Sequence, residues 1–98
     1  MTLEIKKNAE QTTITVVGRL DTITAPVLEQ TINDNIIDTK TLILNLAGLE
    51  YISSAGLRVL LGAHKKMKIV GSMKLVAVCE EVMEILEMTG FADILIIE

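Results

Sequence analysis

Two adjacent serines, Ser53 and Ser54, lie where a predicted strand gives way to a predicted helix. A helix N-terminus presents backbone N–H groups without intrahelical acceptors and a partial positive charge, so it suits an anion on a side chain there. The small residues Ala55 and Gly56 follow, and they would let another chain approach the backbone closely. A structural interpretation fits as well, because serine commonly caps helices and glycine allows tight helix–sheet packing. From these residues alone, the structural interpretation is favoured.

The other residues that could do chemistry form no catalytic or metal-binding pattern. His64, the only histidine, follows the serines by roughly two to three turns of the same helix, too far for a triad, and has no metal-ligand spacing to a cysteine or carboxylate. Cys79 follows an apolar strand and is expected to be a small buried hydrophobe. The glycines at 48, 56 and 62 lack the Gly-Lys-Ser/Thr of a phosphate-binding loop. We therefore expect a protein that is not an enzyme and uses no metal or cofactor.

Composition limits the fold and the partners. A chain of 98 residues with no linker or repeat suits one domain, 1–98, and its 50% hydrophobic content is enough for a core. Thirteen acidic against nine basic residues give a net charge of −4, and the aromatic residues are two, so nucleic acid is not an expected partner. One cysteine, no leader-like start and no apolar run of about 18 residues predict a cytoplasmic chain without membrane insertion.

The elements that must position the serines are predicted from hydrophobic periodicity and turn residues. The expected order is β-β-α-β-α-β-α-β, an α/β fold in which an N-terminal hairpin joins parallel βαβ units in one mixed sheet with helices. The run Leu42-Ile43-Leu44 fits a strand covered on both faces. Sites on such sheets gather beyond the carboxyl ends of the strands. The predicted strands are 3–7, 12–18, 41–46, 74–78 and 94–97. The three predicted helices run from near Thr24 to near Asp38, from about Ser54 to Ile69, and over 80–89. Thr24 is expected to cap the first of them.

Two motifs resemble a known family. The segment LILNLAGLEYISSAGLRVLLGAHKK, residues 42–66, resembles the signature of the STAS family, whose small members are bacterial anti-sigma factor antagonists. In that family a strand ending in Asn-Leu or Asp-Leu leads through an aromatic residue into Asp-Ser-Ser/Thr-Gly-Leu. The segment GRLDTITAP, residues 18–26, is similar to the family's Gly-x-Leu-Asp turn before the first helix. Length and element order match too, so the resemblance covers essentially the whole chain as a single STAS domain.

The resemblance assigns roles to individual residues. Ser54 falls on the serine that a partner kinase phosphorylates, and Asp21 falls on an acidic position in the neighbouring loop. Ser53 replaces the family's usual aspartate, which leaves it as a competing phosphate acceptor, and Ala55 replaces a common serine or threonine. The expected partner-binding surface comprises Asp21, Thr22, Ser53, Ser54, Ala55, Gly56, Leu57 and Arg58.

The function that the resemblance implies is partner switching. The unphosphorylated domain, a monomer, would bind an anti-sigma factor that is also a serine kinase, and so free the sigma factor. Phosphorylation of Ser54 would release it until a PP2C-type serine phosphatase removes the phosphate.

Two alternative functions stay open. One is a STAS interaction subunit of a stress-signalling scaffold or a lipid-transport complex, where the serine need not be phosphorylated. The other is a small-molecule or nucleotide-binding module that uses the same helix N-terminus.

Overall fold

A computed structural model describes all residues, 1–98, as one four-stranded sheet with three helices. None of the helices combines the length and the apolar composition needed to cross a membrane. The element order is β-β-α-β-α-β-α, followed by a short 3-10 turn at Phe91–Asp93. The strands are β1 (Thr2–Asn8), β2 (Gln11–Leu20), β3 (Thr41–Ile52) and β4 (Ser72–Val76), and the helices are α1 (Ala25–Asn35), α2 (Ser54–Val70) and α3 (Glu80–Met88).

The sheet combines a hairpin with parallel crossovers, as predicted. Its strand order is β1-β2-β3-β4. Strands β1 and β2 are antiparallel and joined by the two-residue turn Ala9-Glu10, where Ala9 takes a positive φ of 53°. Strand β2 pairs in parallel with β3, and β3 with β4, so α1 and α2 are the crossover helices. The carboxyl ends of β2 and β3 therefore lie side by side at one edge of the domain.

The predicted last strand, 94–97, is reduced to a single bridge between Leu75 and Ile97. Two backbone hydrogen bonds of 2.9 Å hold it, from Leu75 N to Ile96 O and from Glu98 N to Leu75 O. Ile94, directly after the 3-10 turn, still has a helical backbone, so pairing with β4 cannot begin at that residue. Strand β4 also ends earlier than predicted, because Ala77 adopts a positive φ of 57°.

A single apolar core lies on one face of the sheet. The register places Ile14, Leu44 and Leu75 side by side, and all three are fully buried. All three helices add buried residues to this same core, among them Leu28 of α1, Leu60 of α2 and Val82 of α3.

The opposite face of the sheet carries no helix. Ile43 lies there between Thr13 and Lys74, half-buried and outside the core. The prediction that helices cover both faces of this strand is wrong. A β-branched residue such as Ile43 fits a half-buried pleated surface without a covering helix.

Helix α2 is held close to the rest of the domain at both ends. At its start, a Cβ on Gly56 would lie 2.7 Å from Leu20 Cγ and 2.9 Å from Ile52 Cγ1. Past its end, a Cβ on Gly71 would overlap the carbonyl oxygen of Lys40, which accepts a hydrogen bond of 2.9 Å from Ser72 N. Only glycine fits these contacts, so they fix how α2 sits on the sheet.

Candidate functional site

The two loops that carry the sequence motifs meet at the carboxyl ends of β2 and β3. Leu20, the last residue of β2, lies opposite Ile52, the last residue of β3. Ser53 N then donates a hydrogen bond of 2.9 Å to Leu20 O, which joins the two loops directly. Asp21 follows one strand and Ser54 lies next to the end of the other, so the structure brings both motifs into one surface.

The two serines have different surroundings. Ser53 is the N-cap of α2, with an extended backbone, and its half-buried side chain accepts a hydrogen bond of 3.3 Å from Gly56 N. Ser54 is the first helical residue and is exposed. Its hydroxyl makes no hydrogen bond within the chain. Ser53 therefore performs the capping role that sequence alone favoured, while the Ser54 hydroxyl is free to react.

The surroundings of Ser54 suit a negative charge. The backbone N–H groups of Ser54 and Ala55 have no acceptor in the chain, and the first turn of this 17-residue helix contains no acidic residue. Arg58 lies four residues further on the same helix face, is exposed, and forms no ion pair. Free amides, the helix dipole and one unpaired cation would thus all favour an anion on Ser54.

Asp21 orders the neighbouring loop. Its Oδ1 accepts hydrogen bonds of 3.0 Å from both Ile23 N and Thr24 N, and its own N–H donates to Thr24 Oγ1 at 2.9 Å. The hydrogen bond from the backbone N–H of Thr24 is the main cause that lowers the pKa of Asp21 below its ordinary value. Partial desolvation raises that pKa, but the hydroxyl of Thr24, the N–H of Ile23 and the charge of Arg19 all lower it further. The carboxylate is therefore held ionised by the turn that it organises.

The Thr24 side chain does not cap α1, contrary to the sequence-based prediction. Thr24 occupies the N-cap position, but its side chain makes no bond to the first helical turn. Its hydroxyl instead lies 2.8 Å from the carbonyl oxygen of Arg19 and bonds back to Asp21. Thr24 thus closes the loop against the end of β2.

A cation–π pair beside the site was missed by sequence reasoning. The guanidinium carbon of Arg19 lies 4.2 Å from the centroid of the Tyr51 ring, and the two residues are opposite each other in the β2–β3 register. The only sign of this pair in the sequence was Tyr51, the aromatic residue before the serines. An irregularity in the pairing between Gly18 and Arg19 sets which residue faces Tyr51, and a sequence pattern does not reveal it.

A groove of about 320 Å³ lies between the starts of α1 and α2, next to Ser54. Beside it, Ile23 is 83% exposed. Gly56 and Leu57, by contrast, are buried and serve to seat the helix. Of the eight residues expected at a partner surface, the remaining six are at least partly exposed. The groove is lined by Thr22, Ala25, Pro26, Glu29, Ala55, Arg58 and Val59.

His64 and Cys79 lie apart from this surface. His64 is half-buried, and its Nδ1 has no hydrogen-bond partner. Cys79 precedes α3, packs against the core and places its Sγ 3.4 Å from Leu49 O. Neither side chain forms part of the arrangement around Ser54.

Comparison with known proteins identifies the family. The model of the STAS domain family matches residues 2–98. The anti-sigma-B factor antagonist of Bacillus subtilis (strain 168) is 29% identical over 94 residues, which is 95% of this chain and 86% of that protein.

Solved structures show the same fold. An anti-sigma factor antagonist from Mycobacterium paratuberculosis superposes with a TM-score of 0.88 at 25% identity, covering 98% of this chain and 83% of that chain. The antagonist SpoIIAA in its unphosphorylated form superposes with a TM-score of 0.84 at 19% identity, over 99% and 88% of the two chains. Bacillus SpoIIAA in its phosphorylated form gives 0.76 at 18% identity, over 99% and 91%. Because the family model spans all but one residue, the predicted family is confirmed, and the chain belongs to the STAS domain family.

Proposed function

We propose that this STAS domain is a cytoplasmic, non-enzymatic anti-sigma factor antagonist that switches partners through Ser54. Without phosphate it binds an anti-sigma factor with serine-kinase activity. With phosphate on Ser54 it dissociates, and a PP2C-type serine phosphatase resets it. The observation that carries the proposal is the exposed, unbonded Ser54 hydroxyl at the start of α2, within a surface shared by two loops. The names of the relatives, anti-sigma factor antagonists from two genera, support the same function.

Ser54 is a better phosphate acceptor than Ser53. The Ser53 hydroxyl is half-buried and bonded to Gly56 N, so a kinase would have to break the helix cap to reach it. The Ser54 hydroxyl requires no such change. Ser53 thus serves as the helix cap at the position where the family usually has aspartate, which is also a good capping residue.

Phosphorylation would act through the surface and leave the fold in place. A phosphoserine adds about −1.5 to −2 charges at pH 7, and three acceptor oxygens. The amides of Ser54 and Ala55 and the side chain of Arg58 can accommodate that charge in the free domain. In a complex, the same group would be forced against a desolvated partner surface. A loss of about 3–4 kcal/mol would weaken binding several-hundred-fold.

The partner surface extends over the neighbouring loop. Thr22, the half-buried Ala55 and Arg58 border the groove beside Ser54, and Asp21 holds Thr22 in place through its hydrogen bonds to the next two residues. Asp21 therefore contributes to binding by ordering this loop as well as through its charge.

A pull-down from the native cytosol, followed by intact-mass measurement, tests the proposal. The recovered kinase and ATP should add one phosphate to the domain, which Ser54→Ala abolishes and Ser53→Ala largely retains. Circular dichroism of both variants checks that each is folded. A phosphate mapped to Ser53 alone would contradict the site. Recovery of only a transporter or a scaffold subunit would contradict the function.

A further inference from the structure

Strand β1 forms an edge of the sheet with an unoccupied row of backbone groups. Its register against β2 is uninterrupted from Thr2 to the pair Asn8–Gln11 that closes the two-residue turn. The closing pair of such a hairpin is hydrogen-bonded, and bonded and non-bonded pairs then alternate along the ladder. Even-numbered residues therefore bond to β2. The N–H and C=O groups of Leu3, Ile5 and Lys7 point away from the sheet, where no other strand lies.

The side chains of β1 alternate in charge around an exposed apolar residue. Glu4 and Lys6 lie on the helix-free face, with side chains 67% and 79% exposed and 4.0 Å apart. Ile5 lies between them on the other face and is 41% exposed, although its neighbour Ile14 on β2 is fully buried. The edge thus offers both unpaired backbone groups and apolar surface.

Among the registers that keep the centre of β1 paired, those centred on Glu4, Ile5 or Lys6, charge favours one for a second copy at this edge. In an antiparallel pair, the outward-pointing odd residues must face each other. If the two-fold axis passes through Ile5, each Ile5 lies opposite the other, Leu3 lies opposite Lys7, and Glu4 lies opposite Lys6 of the second copy. The neighbouring registers, centred on Glu4 or on Lys6, place like charges directly opposite and are unfavourable.

We propose that β1 of two copies of this chain pair antiparallel about Ile5, which joins their four-stranded sheets into one continuous sheet. Charges on edge strands usually oppose such pairing. Here their alternation opposes the wrong registers and favours one, in a self-complementary two-fold interface. The association is concentration-dependent, so the monomer expected from the sequence is the dilute state. It does not depend on the proposed function, because Ser54 lies beyond the end of β3, with β2 between β1 and β3.

Sedimentation velocity from micromolar to millimolar protein tests the pairing. Mass should rise from one chain to two, and Lys6→Glu or Glu4→Lys should each weaken the dimer about tenfold, because opposite charges become like charges. The double variant Glu4→Lys/Lys6→Glu should restore it. In hydrogen exchange, the amides of Leu3, Ile5 and Lys7 should gain protection with concentration, while the amides of Glu4 and Lys6 should be protected throughout. A one-chain mass at every concentration, a dimer indifferent to the charge reversals, or protection gained elsewhere would each overturn the proposal.

Discussion

Replacing Gly56 by alanine should destabilise the domain, whereas the same replacement at Gly62 in the same helix should stabilise it. At Gly56 the new methyl group would lie 2.7 Å from Leu20 Cγ and 2.9 Å from Ile52 Cγ1, and both of those side chains are buried. Overpacking a core costs about 1–3 kcal/mol, and removing a helical glycine returns about 1 kcal/mol. The difference is a net loss of about 0–2 kcal/mol. We expect the upper half of that range, about 1–2 kcal/mol, because the 2.7 Å contact is with Leu20 Cγ, the branch point of a fully buried side chain, which cannot move aside as a flexible end could.

Gly62 provides the matched control. Nothing lies within 4 Å of a Cβ placed there, so Gly62→Ala should gain about 1 kcal/mol from helix propensity alone. Each kcal/mol moves the thermal midpoint of a domain of this size by about 4–8 °C, so the two variants should differ by about 10 °C or more in calorimetry. The kinase reaction should be slower for Gly56→Ala only, because Ser54 lies two residues before the forced contact. Equal midpoints, or a more stable Gly56→Ala, would refute the close packing of α2 on Leu20.

Three further predictions concern the residues around the serine. Ser53→Ala should lose about 0.5–2 kcal/mol in urea denaturation through the missing helix cap, whereas Ser53→Asp should retain most of the stability; equal losses would remove the capping role. Phosphorylation of Ser54 should raise the thermal midpoint by a few degrees, because the helix dipole contributes about 0.3–1 kcal/mol and a pair with Arg58 about 0.2–0.5 kcal/mol. Arg58→Gln should reduce that rise, and a lowered midpoint of the phosphorylated wild type would contradict it. The depressed pKa of Asp21 means that its ionised form contributes stability above the ordinary pKa of aspartate, which is lost as pH falls through the lower folded value. The stability difference between wild type and Asp21→Asn should therefore shrink on acidification over that range, and a difference that is constant with pH would show that the charge contributes nothing.

Local signals in the sequence predicted most of the elements and the place of the candidate site in the fold. The serine pair and the small residues after it mark the start of α2, and the structure begins that helix at Ser54. The family resemblance placed Asp21 in the loop next to the serine segment, and the hydrogen bond from Ser53 N to Leu20 O shows that the two adjoin. Both predictions rest on short motifs, which can be recognised from residues that are neighbours in the sequence.

Features that depend on long-range geometry were not predictable. The pairing of Arg19 with Tyr51 follows from an irregular register, and the direction of the Thr24 hydroxyl follows from where β2 ends. Residues 94–97 have the apolar composition of a strand, yet the turn before them lets the chain reach β4 only near Ile97. The exposure of one sheet face was missed as well, because Ile43 has the same apolar character whether a helix covers it or not.

The glycine contacts at the two ends of α2 bear on the kinetics of recognition. Since Gly56 lies against Leu20 and Gly71 against Lys40, the helix can neither slide nor rotate on the sheet without breaking close contacts. Its first turn is thus preorganised, so we expect binding to require no prior rearrangement of the helix. Encounter rates should then be similar for the modified and unmodified forms, apart from long-range charge effects, and the phosphate should act mainly by shortening the residence time of the complex. Reversible phosphorylation at the start of this rigid helix would therefore control how long a complex lasts, and not how fast it forms.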